Sequence, residues 1–240
     1  MTTTDDALFY AGDLDAPLIV LDEEESRHIA AVLRRKVGDT LLLCDGRGRR
    51  CVAQIVEIGK RALIARALGP IPEPAPDPAL LHLAVAPTKH ADRMEWMVEK
   101  AVEMGVRRIT PLLCERSERR ALRGERLQKI ALSAMKQSMR LWAPQIDALT
   151  PLPVFLKTQN DALAQRFIAA CSPDPKPHLF EVLDRRCPSC ILIGPEGDFS
   201  PSELTLAFQS GYGAVSLGDA RLRTETAALC AAMIAAMPAL

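Results

Sequence analysis

The sequence lacks several features that would assign it to a common class of protein. Lysine plus arginine and aspartate plus glutamate number 30 each among 240 residues, so net charge indicates no particular partner. The longest uncharged apolar run, 226–240, is shorter than the ~20 residues that a membrane-spanning helix needs. No Gly-x-Gly-x-x-Gly follows an early strand, which disfavours a Rossmann fold. The remaining constraint is length, which fits one large domain or two small ones.

A secretory leader and a paired set of cysteines are also missing. The seven cysteines are odd in number and scattered, and residues 1–15 are polar and acidic. We therefore expect free thiols and a cytoplasmic protein. Cys187-x-x-Cys190 lacks a second pair, so even with His178 nearby we expect no metal site.

The pattern of apolar residues divides the chain in two. Residues 1–70 are predicted to form a small β-rich domain, and the proline-rich stretch 71–78 an extended linker. From 79 to 240 strands and helices alternate, which predicts an α/β domain with a largely parallel sheet. The predicted strands are 40–44, 51–58, 62–68, 80–86, 106–113, 179–181, 191–193 and 214–217, and the predicted helices are 26–36, 92–104, 125–141, 161–171, 201–209 and one that begins at a Thr224 cap.

Basic residues cluster in two stretches of this neutral chain. Residues 26–70 and 107–140 each hold ten bases against three acids. Such clusters favour contacts with a phosphate backbone, although an ordinary solvated surface is the alternative. The bases that we expect at an RNA surface are Arg34, Arg35, Lys36, Arg47, Arg49, Arg119, Arg120 and Arg140.

The stretch 191–203 combines a strand, a glycine-bearing loop and a helix start. Ile191 to Ile193 is an apolar run, Gly194-Pro195-Glu196-Gly197 predicts a tight loop, and Ser200 can cap a helix that begins at Pro201. Such a unit makes a ligand cradle at the carboxyl end of a strand. No Lys-Ser/Thr follows the second glycine, and the loop carries acids, so a cationic or hydroxyl-rich ligand suits it better than a triphosphate.

The last predicted helix has no polar face. Leu229, Met233 and Met237 recur every four residues, and the opposite side is mostly alanine. A helix of this kind is buried on all sides, either within the domain or against a second copy. We therefore predict a homodimer that uses this helix.

Two motifs carry a family resemblance. The chain reads Gly-Pro-Glu-Gly-Asp-Phe-Ser from Gly194 and Ser-Leu-Gly-Asp-Ala-Arg-Leu-Arg-Thr-Glu-Thr-Ala from Ser216. Together they closely resemble the RsmE family, the 16S ribosomal RNA uridine-N3 methyltransferases of the SPOUT superfamily. The run Asp92-Arg93-Met94-Glu95-Trp96 matches a further family segment, although we expect Trp96 itself to be a packing residue. Many relatives have glycine where this chain has Asp198.

The resemblance implies a fold, a cofactor and a substrate. The fold is a SPOUT α/β domain with a deep trefoil knot, preceded by a small PUA-like β-barrel. The cofactor is S-adenosylmethionine, and the partner is 16S rRNA within the small ribosomal subunit. The residues that would hold the cofactor are Phe180, Glu181, Ile193, Gly194, Pro195, Glu196, Gly197, Leu217, Gly218 and Leu222.

Methylation of uridine N3 sets its own chemical requirements. The neutral imide nitrogen is a poor nucleophile, so a base must take its proton and a cation should stabilise charge on the adjoining carbonyl oxygens. Arg223 or Arg116 could supply the cation, and Glu225 could be the base or only a helix-terminal acid. Two alternatives stay open: a knotted methyltransferase of another RNA site, including a ribose 2′-hydroxyl, and a non-catalytic RNA-binding assembly factor.

Overall fold

The computed structural model describes residues 7–75, 81–158, 165–171 and 174–237. Contacts divide the chain into two compact units, of which the first holds the N-terminal residues up to 75 and also Met135–Ala143. The second unit holds the remaining described residues. The expected boundary at 71–78 stays a prediction, because residues 76–78 lie outside the described ranges. Met135–Ala143 had been expected in the second domain.

The first unit is built on one five-stranded sheet. Its strands are β1 (Leu8–Tyr10), β2 (Ile19–Leu21), β3 (Thr40–Cys44), β4 (Arg50–Ile58) and β5 (Leu63–Ala67), paired in the order β1-β3-β4-β5-β2. The two end strands do not pair with each other, so the predicted barrel is an open half-barrel. The strands predicted at 40–44, 51–58 and 62–68 are confirmed. The short strands β1 and β2 were not predicted.

Local chemistry explains the turns of this unit. Asp22 caps helix α1 (Glu23–Arg27) by accepting the Glu25 N–H at 2.8 Å, and a π-helical turn (His28–Val32) follows. The helix expected at 26–36 therefore begins three residues earlier and ends at Val32. The β3–β4 hairpin is confirmed; its two glycines have positive φ, and a Cβ at Gly48 would lie 2.7 Å from the Trp142 ring.

The second unit is an α/β layer structure with a parallel sheet. Its strands are β6 (Leu81–Val85), β7 (Arg108–Leu113), β8 (Gln145–Ile146), β9 (Thr150–Pro151), β10 (Gln165–Ala169), β11 (Ser189–Ile193) and β12 (Gly213–Val215), in the order β12-β10-β11-β6-β7-β8 with β9 also on β7. Its helices are α2 (Ala91–Glu103), α3 (Gly124–Gln137), α4 (Leu152–Thr158), α5 (Leu179–Val182), α6 (Pro201–Gln209) and α7 (Thr224–Ala236), although the last turn of α3 belongs to the first unit. All described strand pairs in this sheet are parallel, so the α/β prediction is confirmed.

Two of the predicted elements are wrong. The helix expected at 161–171 is replaced over 165–169 by strand β10, which pairs with β11 and β12, while 161–164 lie outside the described residues. Pairing on both sides overrides the helical spacing of its apolar residues. The strand expected at 179–181 is helix α5, because His178 and Glu181 form a capping box at its start. Helix α3 also ends at Gln137 instead of 141.

The parallel register aligns the ends of five strands. Val85 of β6 lies opposite Ile193 of β11 and Pro111 of β7, and Ala169 of β10 lies opposite Ile193 and Val215 of β12. The loops that follow these strands therefore meet at one edge of the sheet. No helix in the described part of the chain combines the length and apolar character needed to cross a membrane.

A buried polar network lies near the opposite edge of the same sheet. The Thr110 hydroxyl donates to Asp147, so His82 Nε2 carries the proton that it donates to Thr110 Oγ1 at 2.7 Å. The His82 ring also packs edge to face on Phe155. Burial lowers the pKa of His82 from 6.5 to about 4, because the imidazolium would lose its hydration there.

This network predicts a loss of stability in mild acid. The unfolded chain takes up the His82 proton at a higher pH than the folded chain, so the free energy of unfolding should fall by up to about 3 kcal/mol between pH 6.5 and pH 4. His82→Gln should remove this part of the pH dependence, as measured by urea denaturation across that range. His90→Gln, which changes an exposed histidine, is the matched control. Equal slopes for the wild type and His82→Gln would contradict the assignment.

Candidate active site

A pocket opens where the loops after β10 and β12 meet. Its volume is ≈ 380 Å³, which lies within the range of roughly 300–1,000 Å³ found for small-molecule sites. The loop from Ser216 to Leu222 forms one wall and residues 169–171 form the other. Of the predicted cofactor residues, Leu217, Gly218 and Leu222 line this pocket, and the remaining seven do not.

Glycine 218 lets the wall turn tightly. Its φ is +119°, a conformation that side-chain-bearing residues rarely adopt, and no atom lies within 4 Å of where a Cβ would be. The Gly218 N–H donates to Ser216 Oγ at 3.0 Å, which fixes the start of the turn. The backbone at Gly218 and the apolar Leu217 and Leu222 suit a flat aromatic ring, while Asp219 and Arg221 add charge to the same wall.

The loop after β11 lies beside this wall. Thr224 Oγ1, buried at the start of α7, donates to the Gly194 carbonyl at 3.0 Å. This hydrogen bond joins two segments that are thirty residues apart in the chain. Thr224 had been expected to cap α7, but Arg223 occupies the cap position and Thr224 is the first helical residue.

Residues of other loops hold the 194–197 loop from the outside. Arg116 Nη1 donates to the Gly197 carbonyl at 2.8 Å, and the Lys89 N–H donates to Glu196 Oε1 at 3.1 Å. The hydrogen bond from Lys89 Nζ to Glu118 raises the pKa of that lysine. The loop therefore presents its acid toward the chain that follows β6, and Ile193, Gly194 and Pro195 are buried behind it.

Asp198 occupies a strained position at the end of this loop. Its φ is +59°, in the left-handed region that favours glycine. Its side chain compensates, because Oδ1 accepts the Phe199 N–H at 2.8 Å and Oδ2 accepts the Cys171 N–H at 2.9 Å. A glycine at this position would take the same backbone conformation without those contacts.

Phe180 and Glu181 have local roles in helix α5. The Glu181 carboxylate accepts the His178 N–H in the capping box. The Arg185 guanidinium lies 4.4 Å from the centre of the half-exposed Phe180 ring. The His178–Ser216 bridge places the start of α5 beside the wall of the pocket, so a role of these two residues in holding a cofactor stays a prediction.

The predicted catalytic residues Arg223 and Glu225 share a second cavity. This cavity, of ≈ 700 Å³, is lined by Asp92, Arg93, Trp96, Arg221, Leu222, Arg223, Glu225 and Thr226. Arg221 and Leu222 also line the first pocket, so the two cavities are neighbours. Arg116 contacts the 194–197 loop instead. Trp96 is 48% exposed at this cavity, and its expected role as a packing residue stays a prediction.

Glu225 is buried and only partly paired. Its Oε1 lies 3.7 Å from Arg93 Nη1, and 8% of its side chain is exposed. Its Oε2 is buried and has no hydrogen-bond partner among the described residues. Glu225 as a residue lines the second cavity, so its partly paired carboxylate can accept a proton or a hydrogen bond from a ligand that enters there.

The predicted RNA-binding residues differ in exposure and in the contacts that they make. Arg34, Lys36, Arg47 and Arg120 are exposed. Arg49 is engaged, since its guanidinium contacts both oxygens of Asp15 at 2.9 Å and the buried Asp45 at 2.6 Å. Arg35 and Arg119 are half-buried, and Arg119 donates to the Lys89 carbonyl at 3.1 Å. Arg140 is half-buried, and burial lowers its pKa.

No group of three or more His, Cys, Asp or Glu in the described ranges is placed to hold a metal ion.

Sequence reasoning missed one wall of the pocket. Ala169 ends strand β10 and Ala170 and Cys171 follow it, but the sequence predicts this segment as a helix. Asp174 and Lys176, which also line the pocket, carried no motif. The signal that could have found this wall is the run Phe167–Ala170, which is as apolar as the other central strands.

Comparison with known proteins defines the class to which this fold and site belong. The family model described as the RNA methyltransferase domain matches residues 75–236. The model described as the RNA methyltransferase PUA domain matches residues 21–68. The chain therefore combines an RNA methyltransferase domain with a PUA domain, and the predicted PUA-like unit is confirmed.

Individual relatives narrow the class further. The ribosomal RNA small subunit methyltransferase E of Rickettsia conorii is 32% identical over 207 residues, which cover 85% of this chain and 83% of that protein. A crystal structure of a probable rRNA-methyltransferase from Porphyromonas gingivalis is 40% identical, with a TM-score of 0.85 over 94% of this chain and 95% of that one. The methyltransferase E of Neisseria gonorrhoeae, solved with bound S-adenosyl methionine, is 28% identical with a TM-score of 0.82 over 94% of both chains. This chain belongs to the ribosomal RNA small subunit methyltransferase E family, as the sequence motifs indicated.

The hydrogen bond from Thr224 to Gly194 can be tested by removing the Thr224 hydroxyl. Thr224→Val keeps the shape of the side chain but leaves the buried Gly194 carbonyl without its donor, so the free energy of unfolding should fall by about 1–3 kcal/mol. Chemical denaturation measures this loss. Thr226→Val, at an exposed position of the same helix, should change it by less than about 0.5 kcal/mol. Equal effects of the two substitutions would show that this hydrogen bond adds nothing.

Proposed function

We propose that this protein uses S-adenosylmethionine to methylate N3 of one uridine in 16S rRNA of the small ribosomal subunit, in the cytoplasm. The observation that carries the proposal is the pair of glycine loops joined by Thr224 and Gly194 beside a pocket of cofactor size. Relatives that share this architecture are named ribosomal RNA small subunit methyltransferase E, and one was solved with S-adenosyl methionine.

The pocket fits the parts of S-adenosylmethionine. Leu217, Leu222 and the backbone around Gly218 can enclose and hydrogen-bond an adenine ring. Asp174 and Asp219 also line the pocket, beside Lys176 and Arg221, so the methionine part of the cofactor can pair its ammonium and sulfonium with carboxylates and its carboxylate with a base. The cofactor, when bound, supplies an electrophilic methyl group. Phe180, Glu181, Ile193, Gly194, Pro195, Glu196 and Gly197 complete the cradle, and a deep trefoil knot holds its loops together.

The side chains of the second cavity would prepare the uridine. The Glu225 carboxylate accepts the N3 proton, since it lines this cavity and is only partly paired among the described residues. Arg223 lies in the same cavity and stabilises the negative charge that the imide carbonyl oxygens then carry. Arg116, at the 194–197 loop, is the other candidate for this cation. Loss of the proton makes N3 a nucleophile, and the arginine also orients the base.

The exposed basic residues would hold the phosphate backbone. Arg34, Lys36 and Arg47 on the first unit and Arg120 on the second are exposed, and Arg35, Arg119 and Arg140 add charge from half-buried positions. Phosphate contacts of this kind position the RNA without reading its sequence. Arg49 contributes least, because its guanidinium is engaged with two carboxylates.

A homodimer through α7 would cover an exposed apolar stripe. Met233 and Met237 are 46% and 41% exposed, while Ala228, Ala231 and Ala232 are buried. The alanines of α7 pack against its own unit and leave the methionines outside, so the burial expected for these large side chains would come from a second copy. Nothing in the described chain covers the stripe, so a second copy is the natural occupant.

The function can be tested on unmethylated small subunits. The purified protein with S-adenosylmethionine should produce 3-methyluridine, detected by nucleoside mass spectrometry of the 16S rRNA. Arg223→Ala should lower kcat by about 100-fold and leave cofactor affinity within twofold, because it removes charge stabilisation and no contact of the first pocket. Arg221→Ala is the comparison variant, because Arg221 lines both cavities.

Each outcome of this assay separates the proposed function, or the proposed role of Arg223, from one alternative. Formation of a 2′-O-methylated nucleoside would favour the other knotted methyltransferases. Absence of cofactor binding by calorimetry would favour the assembly factor. Unchanged turnover of Arg223→Ala would transfer the role of the cation to Arg116.

The dimer has its own test. Met233→Glu places a charge in the middle of the exposed stripe and should convert a dimer into a monomer in sedimentation velocity experiments. Phe208→Glu, which changes another exposed apolar residue of the second unit, is the matched control and should stay dimeric. A monomeric wild type would exclude the dimer.

A further inference from the structure

A groove lies between helix α2 and the segment that leads into α3. Its volume is ≈ 510 Å³, and the proposed reaction does not use it. Met94 and Leu127 lie beneath its floor at 0% and 3% exposure, and the apolar surface that a ligand can touch comes from Leu122, Ala91 and Ala121. A concave apolar floor of this size can take the flat face of a small ring system.

Three arginines surround the apolar floor. Arg126 is fixed by Glu95, with 2.7 Å between Nη2 and Oε2. Arg119 is fixed by the Lys89 carbonyl, which leaves its Nη1 for another partner. The Arg123 guanidinium is exposed and makes no hydrogen bond with any residue in the described ranges. Glu95 is the one carboxylate in the lining, so the groove keeps an excess of positive charge.

The combination of an apolar floor and a cationic rim identifies the chemistry of a ligand. A nucleotide has an apolar, flat base and an anionic phosphate a few ångströms away. Proteins recognise unpaired RNA bases by stacking them on aromatic side chains or guanidinium planes, and Arg126, held by Glu95, offers such a plane at this groove. We propose that this groove binds one unpaired nucleotide of the RNA substrate, next to the target uridine in the RNA; this inference rests on the proposed function.

A chain of hydrogen bonds links the groove to the cofactor loop. Arg119 at the rim donates to the Lys89 carbonyl, and the Lys89 N–H donates to Glu196 Oε1. One residue, Lys89, thus separates the groove from the loop that holds the cofactor. The nucleotide in the groove fixes the RNA strand at this point, so the target base is extruded toward Arg223 and Glu225. The phosphate lies between Arg119 and Arg123, and the base lies against Leu122 and the Arg126 guanidinium.

Two substitutions test the groove from different directions. Arg123→Ala removes the exposed guanidinium, and Ala121→Trp fills the groove from its exposed edge. Both should weaken binding of a uridine-containing single-stranded oligoribonucleotide, and raise KM for unmethylated small subunits, by about tenfold. Only Arg123→Ala should also reduce the salt dependence of binding, by about 0.7 in the logarithmic slope. The affinity for S-adenosylmethionine should not change in either variant.

The control removes the same charge at the far edge of the sheet. Arg186 is exposed and precedes the amino end of β11, so Arg186→Ala should leave RNA affinity within twofold of the wild type. The proposal is overturned if Arg123→Ala and Arg186→Ala have equal effects, or if Ala121→Trp binds RNA normally. A shift to monomer on Ala121→Trp would assign the groove to a second copy of the chain and also overturn it.

The proposal and the proposed function fail in different ways. A wild-type protein that binds RNA and forms no 3-methyluridine contradicts the function, and the oligoribonucleotide affinities still decide the groove. A wild-type protein that binds neither the oligoribonucleotide nor the small subunit contradicts the groove.

Discussion

One buried hydrogen bond determines how the catalytic unit is arranged. Thr224 Oγ1 reaches the Gly194 carbonyl across thirty residues of chain and fixes the start of α7 against the end of β11. Since parallel register has already brought the strand ends together, this bond places the Leu217–Leu222 wall and the 194–197 loop side by side. The position of Arg223 and Glu225 follows, because they flank Thr224 in the chain. A shift at this one joint would move the cofactor wall and the proposed catalytic pair together.

Basic residues outnumber acids in two of the three cavities described above. The groove is lined by three arginines and one carboxylate, and the second cavity by three arginines and two carboxylates. The first pocket is balanced, because Asp174 and Asp219 line it together with Lys176 and Arg221. The cavities that would receive RNA therefore carry an excess of positive charge, although the chain has equal numbers of acids and bases.

Local patterns predicted elements whose signals lie close together in the chain. Helix α6 was predicted with its observed bounds, because Ser200, Pro201 and Glu203 are a complete start signal. Strand β10 was missed because its identity depends on pairing with β11 and β12, which no local pattern records. The motifs found two loops of the site, but the contribution of residues 169–171 required the sheet. The partial pairing of Glu225 and the engagement of Arg49 likewise depend on residues distant in sequence.

The segment Met135–Ala143 belongs to the first unit, and this affects how the protein folds during synthesis. Synthesis proceeds from the N-terminus, and domains that are continuous in sequence can fold as soon as they emerge from the ribosome. Here the half-barrel receives its last segment only after much of the second unit has been translated. A nascent chain that stops at residue 75 leaves buried Glu25 without Lys136, with which it forms an ion pair in the complete protein. The N-terminal unit is therefore incomplete as an expression fragment, and its maturation is delayed until translation has passed residue 143.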